Sequence, residues 1–518
     1  MNLKFLNKIP FRILYVFFLS VLAFGLSTGE ILMSIPSIAL AAVWLLERNF
    51  KVKWNRIVEL KYAPLAFLLI YLVHILWLIG TQSIYEGLND LVLKLPLLCF
   101  PLVIGSIPKL KALEWKLVVG SFLAGVTFAS LAGLYLYNTQ EIENHRQLSI
   151  FISHIRLSLM LGLALFIIGW ILVTRKEKFR YLFLIPLVII LIFIRLLESG
   201  TGYAMLLLML GVFTFFLISR LNNKWLKMFF LLSLVGVVLG STWYVRSIYK
   251  DLTLVKDTNS LTQLPYQSAN GELYMHDTNE VWLENGNYLW INIAPNELKQ
   301  TWNEVSVIPI DSRDKKGQKI QATLLRYLTS KGDRKDREAV LNLSNKDIEN
   351  VENGITSILP PKTGFTARFE EVVYECINLK LDHNPNGHSV IQRIHYLEAG
   401  AEIFSRNKWM GIGTGDEKIV YDVYYNEIDS RLDPKNRLRA HNQILSFLVC
   451  FGILGSLILA FALIYPVVVL KLNWIFVAAL LTILVGLLTD DTLDTQAGVS
   501  LVSFAYCFFL FHPIPVED

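Results

Sequence analysis

Apolar stretches long enough to cross a bilayer recur from one end of this 518-residue chain to the other. A hydrocarbon core of about 30 Å takes roughly 20 apolar residues as a helix, so each stretch is a candidate span. They can be drawn at 11–27, 31–46, 63–80, 94–107, 117–137, 157–173, 181–196, 202–219, 226–245, 442–465, 474–489 and 498–512, about twelve in all. A membrane β-barrel would show alternating segments of about ten residues instead, and none dominate. With 54% hydrophobic and only 18% charged residues, and a mean hydropathy of +0.46, the chain reads as an all-α polytopic membrane protein. The basic start and apolar run of Asn2 to Gly29 lead straight into another span, which suits an uncleaved first helix better than a signal peptide. Cys99, Cys376, Cys450 and Cys507 fall one per region with no disulfide or metal spacing.

The net charge of +5 says little as a total, because topology depends on where the cations sit. Lys4, Lys8 and Arg12 precede the first span, and Arg48, Lys51, Lys53, Arg56 and Lys61 follow the second. Lys109, Lys111 and Lys116 follow the fourth, Arg175, Lys176, Lys178 and Arg180 the sixth, Arg220, Lys224 and Lys227 the eighth, and Lys471 the tenth. Alternate loops are basic, which places them and both termini in the cytoplasm. The chain then divides into an N-terminal bundle (1–245), a large outward loop (246–440) and C-terminal spans (441–518).

The loop has the composition of a small mixed α/β insert. Val281-Trp282, Tyr288 to Ile291 and Glu304 to Ile308 read as strands, with Asn285-Gly286-Asn287 a turn between the first two. Thr323 to Thr329 suits a strand or a short helix, Asp333 to Arg337 a solvated charge run, and Ser344 to Asp347 a helix cap. Apolar spacing over 391–403 predicts an amphipathic helix that returns the chain to the membrane.

Chemistry-bearing residues gather where this loop meets the tenth span. His441-Asn442 opens that span, either as an interfacial cap or as a general base, since imidazole titrates near neutrality. Arg437 and Arg439 just before it snorkel toward headgroups or bind an anion, because guanidinium grips phosphate oxygens bidentately. Arg393 opens the returning helix, and Arg156 lies at the mouth of the sixth span. Arg195 and Glu198, three apart, suit a structural ion pair. Gly411-Ile412-Gly413-Thr414-Gly415 lacks the Lys-Ser/Thr of a nucleotide-binding loop and reads as a tight turn. Asp490, Asp491 and Asp494 suggest a metal site or, more simply, a solvated acidic loop.

Taken together, the Arg-led helix, the element Asn407 to Gly415 and the His441-Asn442-Gln443-Ile444-Leu445 … Gly452-Ile453-Leu454-Gly455 element resemble the O-antigen ligase and polymerase family of bacterial envelope glycosyltransferases. The resemblance covers the last part of the chain well and the earlier spans by topology. It implies a GT-C-like architecture in the bacterial inner membrane with the large loop periplasmic. The donor it implies is an undecaprenyl-diphosphate-linked glycan, and the acceptor lipid A-core or another glycan or protein. Membrane lipids surround the chain, and neither nucleic acid, cofactor nor metal takes part, arginines neutralising the diphosphate. By position, His441 matches the family's essential histidine and Arg393 its diphosphate-contacting arginine. Asn442 stands to orient His441 or the acceptor, and Asp490 and Asp494 fall where relatives carry acidic residues before Gln-x-Gly. One departure stands out: the family's Ser-Arg pair is replaced here by Glu198-Ser199-Gly200-Thr201-Gly202, leaving Arg195 or Arg156 to supply the second cation.

Overall fold

The computed structural model describes residues 10–142, 144–256, 261, 264–279, 282–360, 362–380 and 385–515. Lys4, Lys8 and Val281, on which some expectations rest, lie outside that range. Each expected apolar segment coincides over most of its length with a helix. Eight helices among the described residues are long and apolar enough to cross a membrane, and a ninth span forms if Phe50–Glu59 and Ala63–Leu76, bent by 99°, count as one. Phe11–Gly25, Trp474–Thr489 and Gln496–Phe511 are apolar but shorter. The chain is a multi-pass helical membrane protein, and the expected twelve spans exceed the number that length and composition alone support.

The last of these helices shows why such a number is hard to read. Every residue of Gln496–Phe511 after its first is buried in protein. Its apolar surface answers to neighbouring helices, chiefly Leu95–Ser106 and Trp474–Thr489. A helix apolar on all sides serves equally as a bundle centre or a lipid-facing span.

Two compact units emerge: residues up to Leu234 together with those from Pro385 onward, and Val235–Asn384. The division leaves segment 385–440, the end of the large loop by sequence, clustered with the membrane helices.

The 235–384 unit corrects the expectation of a mixed α/β insert. Among its described residues the strands are only Leu283–Glu284 and Asn287–Tyr288, paired antiparallel. They close over the anticipated turn, with Asn285 and Gly286 at φ 50° and 79° as such a two-residue hairpin requires. Besides the end of Lys224–Thr253, its helices are Pro295–Val305, Ile320–Lys331, Arg337–Leu341, Asn345–Glu352 and Phe365–Lys380. Glu304 to Ile308 fails as a strand because Glu304 and Val305 finish a helix whose Leu298, Thr301 and Trp302 already face the core. Thr323 to Thr329 is helical because Leu324, Tyr327 and Leu328 recur on one buried face, and left-handed Gly332 ends the helix. The charge run is solvated only in part, Arg334 being exposed. Lys335 is buried with Nζ on the carbonyls of Tyr288 (3.0 Å) and Ile291 (3.1 Å), and buried Asp336 caps the next helix at Ala339 N. The Ser344 cap is present as a full capping box with Asp347.

In the larger unit, the returning helix forms as expected, over Ser389–Arg406. Its Tyr396, Ala399 and Ile403 pack with Tyr421 and Tyr425 of the helix Glu417–Glu427 and with Val449 of the helix Gln443–Val469. This three-helix contact sets the frame of the site.

Candidate functional site

The site is built on a break in a membrane helix. Gln443–Val469 is interrupted at Gly452, whose φ of 60° and ψ of −164° are not helical. The carbonyls and amides freed there are satisfied by the turn 408–413. Ile412 and Gly413 donate to the carbonyls of Val449 and Cys450 (both 2.9 Å), while Ile453 and Leu454 donate back to Lys408 (2.8 Å) and Trp409 (3.2 Å). Backbones approach so closely that a Cβ on Gly411 would sit 2.3 Å from Cys450 O, and one on Gly452 2.3 Å from Trp409 O. Two glycine motifs separated in sequence are therefore the two halves of one clasp. It is extended by Thr414, which bonds the carbonyls of Trp77 and His74.

Above the clasp, His441 stands at the mouth of the same helix. Its Nδ1 lies 2.9 Å from Asp490 Oδ1, and its backbone N–H donates to Asp491 Oδ2 at 3.0 Å. The other oxygen of Asp490 is 2.8 Å from Arg156. The Tyr396 ring flanks the imidazole, with centroids 5.3 Å apart. Asn442 caps the helix at Leu445 N (3.0 Å) and donates its amide to Leu488 O (3.1 Å). His441, Asp490 and Arg156 line a cavity of about 1200 Å³.

A chain of alternating charge lies on the same cavity wall. Arg439 bridges Glu417 (2.8 Å) and Asp494 (3.0 Å), Asp494 meets Lys94 at 2.9 Å, and Lys94 pairs with Asp90 one turn earlier. Carboxylates outnumber cations, and their ionisation divides accordingly. Burial would raise Asp494, but Lys94 and Arg439 outweigh it and hold that carboxyl down to about 2. Burial raises Glu417 to about 7 against the pull of Arg439, with Asp494 and Asp491 adding to the rise. Asp491 is likewise pushed up, by burial and by Asp494. For Asp490 burial loses to the His441 hydrogen bond and to Arg156 and Arg393, so it stays ionised. Perturbed carboxyls beside a cavity are the electrostatic mark of a functional site.

Most of the sequence-derived residues thus converge. Arg156, Arg437, Arg439, His441, Asp490 and Asp494 all line the cavity. Arg393, half-buried on the returning helix, is near enough for its charge to act on Asp490. The guanidinium of Arg437 is occupied by Leu432 O, Ser430 O and the Asn426 side chain, so it pins its own loop. Arg195 is exposed on its helix and stands apart from the cavity lining. The acidic loop, expected to be solvated, is buried at Asp490 and Asp491, because each carboxylate has a cationic or hydrogen-bonding partner. Lys94, Asp90 and Glu417 escaped the sequence reading. Asp90 and Lys94, four apart at the start of an apolar run, were the only signal of the first two. Among the described residues, no group of three or more His, Cys, Asp or Glu is arranged to hold a metal ion.

Comparison with known proteins bears on this same stretch. Residues 355–460 match the family model of O-antigen ligase. No curated protein and no solved structure matches the chain. The matched segment carries Arg393, the glycine clasp and His441, and it is in this stretch that the chain is similar to the O-antigen ligase family.

Proposed function

We propose that this protein transfers a glycan from an undecaprenyl-diphosphate carrier to an acceptor hydroxyl at the periplasmic face of the bacterial inner membrane. We take it to be an O-antigen ligase whose acceptor is lipid A-core. The observation that carries the chemistry is the line Arg156–Asp490–His441 on the cavity wall. Ionised Asp490 engages Nδ1, which leaves Nε2 as the nitrogen to accept the acceptor's proton. The acceptor oxygen then bonds to the anomeric carbon, the bond from that carbon to the phosphate oxygen breaks, and its electron pair departs on the lipid diphosphate. Fixed guanidinium charge opposes the growing negative charge without reorganising, and Arg156 and Arg393 supply it here. Arg156 fills the role left open where the family's Ser-Arg pair is missing. Arg439, held between two carboxylates, shapes the wall instead. The alternating basic loops support a periplasmic site, where a flipped donor is available.

The test combines two assays. Purified protein in detergent, given a lipid-diphosphate-linked oligosaccharide and lipid A-core, is expected to form the ligated product and release the lipid diphosphate. In cells, deletion of the gene should abolish long-chain lipopolysaccharide on a gel with build-up of the donor. Single-repeat products would instead identify a polymerase, and unchanged lipopolysaccharide with deglycosylated proteins a protein oligosaccharyltransferase.

A further inference from the structure

Two neighbouring carboxylates hold His441, and only Asp490 touches its ring. His441 itself has φ 47°, a left-handed backbone uncommon for residues that bear a side chain. Asn442, next along, is extended (φ −149°, ψ 106°) and caps the helix, so the chain turns sharply at the histidine. At that turn Asp491 Oδ2 accepts the His441 backbone N–H at 3.0 Å. Its Oδ1 accepts the Ser446 hydroxyl at 2.7 Å. Asp491 is 5% exposed and Ser446 2%, at the border of the same cavity. One carboxylate thereby ties the residue before the helix to the helix's own first turns.

We propose that Asp491 is a positioning residue: it holds the His441 backbone in the left-handed turn from which the imidazole reaches both Asp490 and the cavity. Without that tie the backbone relaxes to an ordinary conformation and the ring swings off Asp490. The inference rests on the reading of His441 as the base in glycan transfer.

Asp491→Asn separates this role from one that depends on charge. Its amide oxygen can accept the His441 N–H while its NH₂ donates to the Ser446 oxygen, so both ties persist in the neutral variant. In full-length protein, Asp491→Ala is expected to lower kcat about tenfold to a hundredfold, the cost of misplacing a reacting group by about an ångström. Its KM for the lipid-diphosphate donor should stay within about twofold, as expected of a residue that acts through His441 rather than on the donor. Asp491→Asn should keep most of the turnover and the wild-type pH profile. Full kcat in Asp491→Ala would overturn the proposal, as would Asp491→Asn losing as much as the alanine variant. Should the alanine variant not accumulate, Asp491→Asn decides alone: turnover below about a tenth of wild type sinks the idea. Wild-type protein that forms no glycosidic bond would refute the transfer reading itself, a result distinct from any of these.

Discussion

Lys335 and Asp314, in the 235–384 unit, lie buried against backbone. Lys335 serves two carbonyls, and Asp314 accepts from Lys316 N, Gln318 N and the Thr323 hydroxyl. Around the cavity of the other unit, buried charges face one another instead, and some of their atoms stay unsatisfied, Arg156 Nε and Glu417 Oε1 among them. In the first region these ions bond to backbone groups and one hydroxyl, in a unit whose core packs Trp302, Leu324 and Leu328. In the second, carboxyls are in excess and are driven to different ionisation states. Buried charge bonded within its own unit supports the fold, whereas buried charge left partly unsatisfied beside a cavity is available to a ligand.

Substitutions on each side test that contrast. His441→Ala should give the largest effect, a loss of transfer of about 10²–10⁴-fold with normal membrane accumulation, measured with a lipid-linked donor. Asp490→Asn presents an amide to Nδ1 and reverses the proton arrangement of the ring, so about a hundredfold loss is expected. Arg156→Ala, which removes the Asp490 anchor and a cation from the wall, should cost a similar factor in kcat/KM. Equal activity in either variant would dissolve the distinction between the two regions.

Gly411→Ala attacks the clasp rather than the chemistry. With φ 69° and Cys450 O only 2.3 Å from the new Cβ, the backbone has to separate, and a stability loss of about 2–3 kcal/mol is expected. Gly413→Ala, whose nearest neighbour is Trp77 O at 3.2 Å, should cost less, and thermal melting of the purified proteins compares them.

The smallest effect falls in the other unit. Burial lowers Lys335 from 10.5 to about 8, partly opposed by Asp333. Between those values the unfolded lysine carries a proton that the folded one has lost, so stability rises with pH across that window. The gain is lost as pH falls through about 8. Lys335→Met should flatten this slope in melting experiments and leave transfer unchanged. A clear loss of transfer would mean that buried charge in this unit also serves the reaction.

Local patterning was enough to reveal the apolar helices, the Ser344 cap, the Asn285-Gly286 turn and the returning helix at 389–406. Each is decided by residues within a few positions of one another: apolar spacing, a capping side chain, a left-handed glycine. The strand readings failed where short apolar runs fit either periodicity and tertiary burial chose the helix. At the site, His441, Arg393 and Arg156 stood out as cations beside apolar runs. Lys94 and Glu417 did not, because their partners lie hundreds of residues away or on another helix.

The sequence by itself determined a multi-pass helical chain with a basic, histidine-bearing junction before its tenth apolar run, since hydrophobic length and charge placement are local properties. Only the tertiary structure decided that the glycines of 411–415 and Gly452 form one clasp. It alone brought Asp490 to the His441 ring and Asp491 to its backbone. Those pairings depend on the close approach of separate helices, and no spacing along a chain encodes which carboxylate will meet which nitrogen.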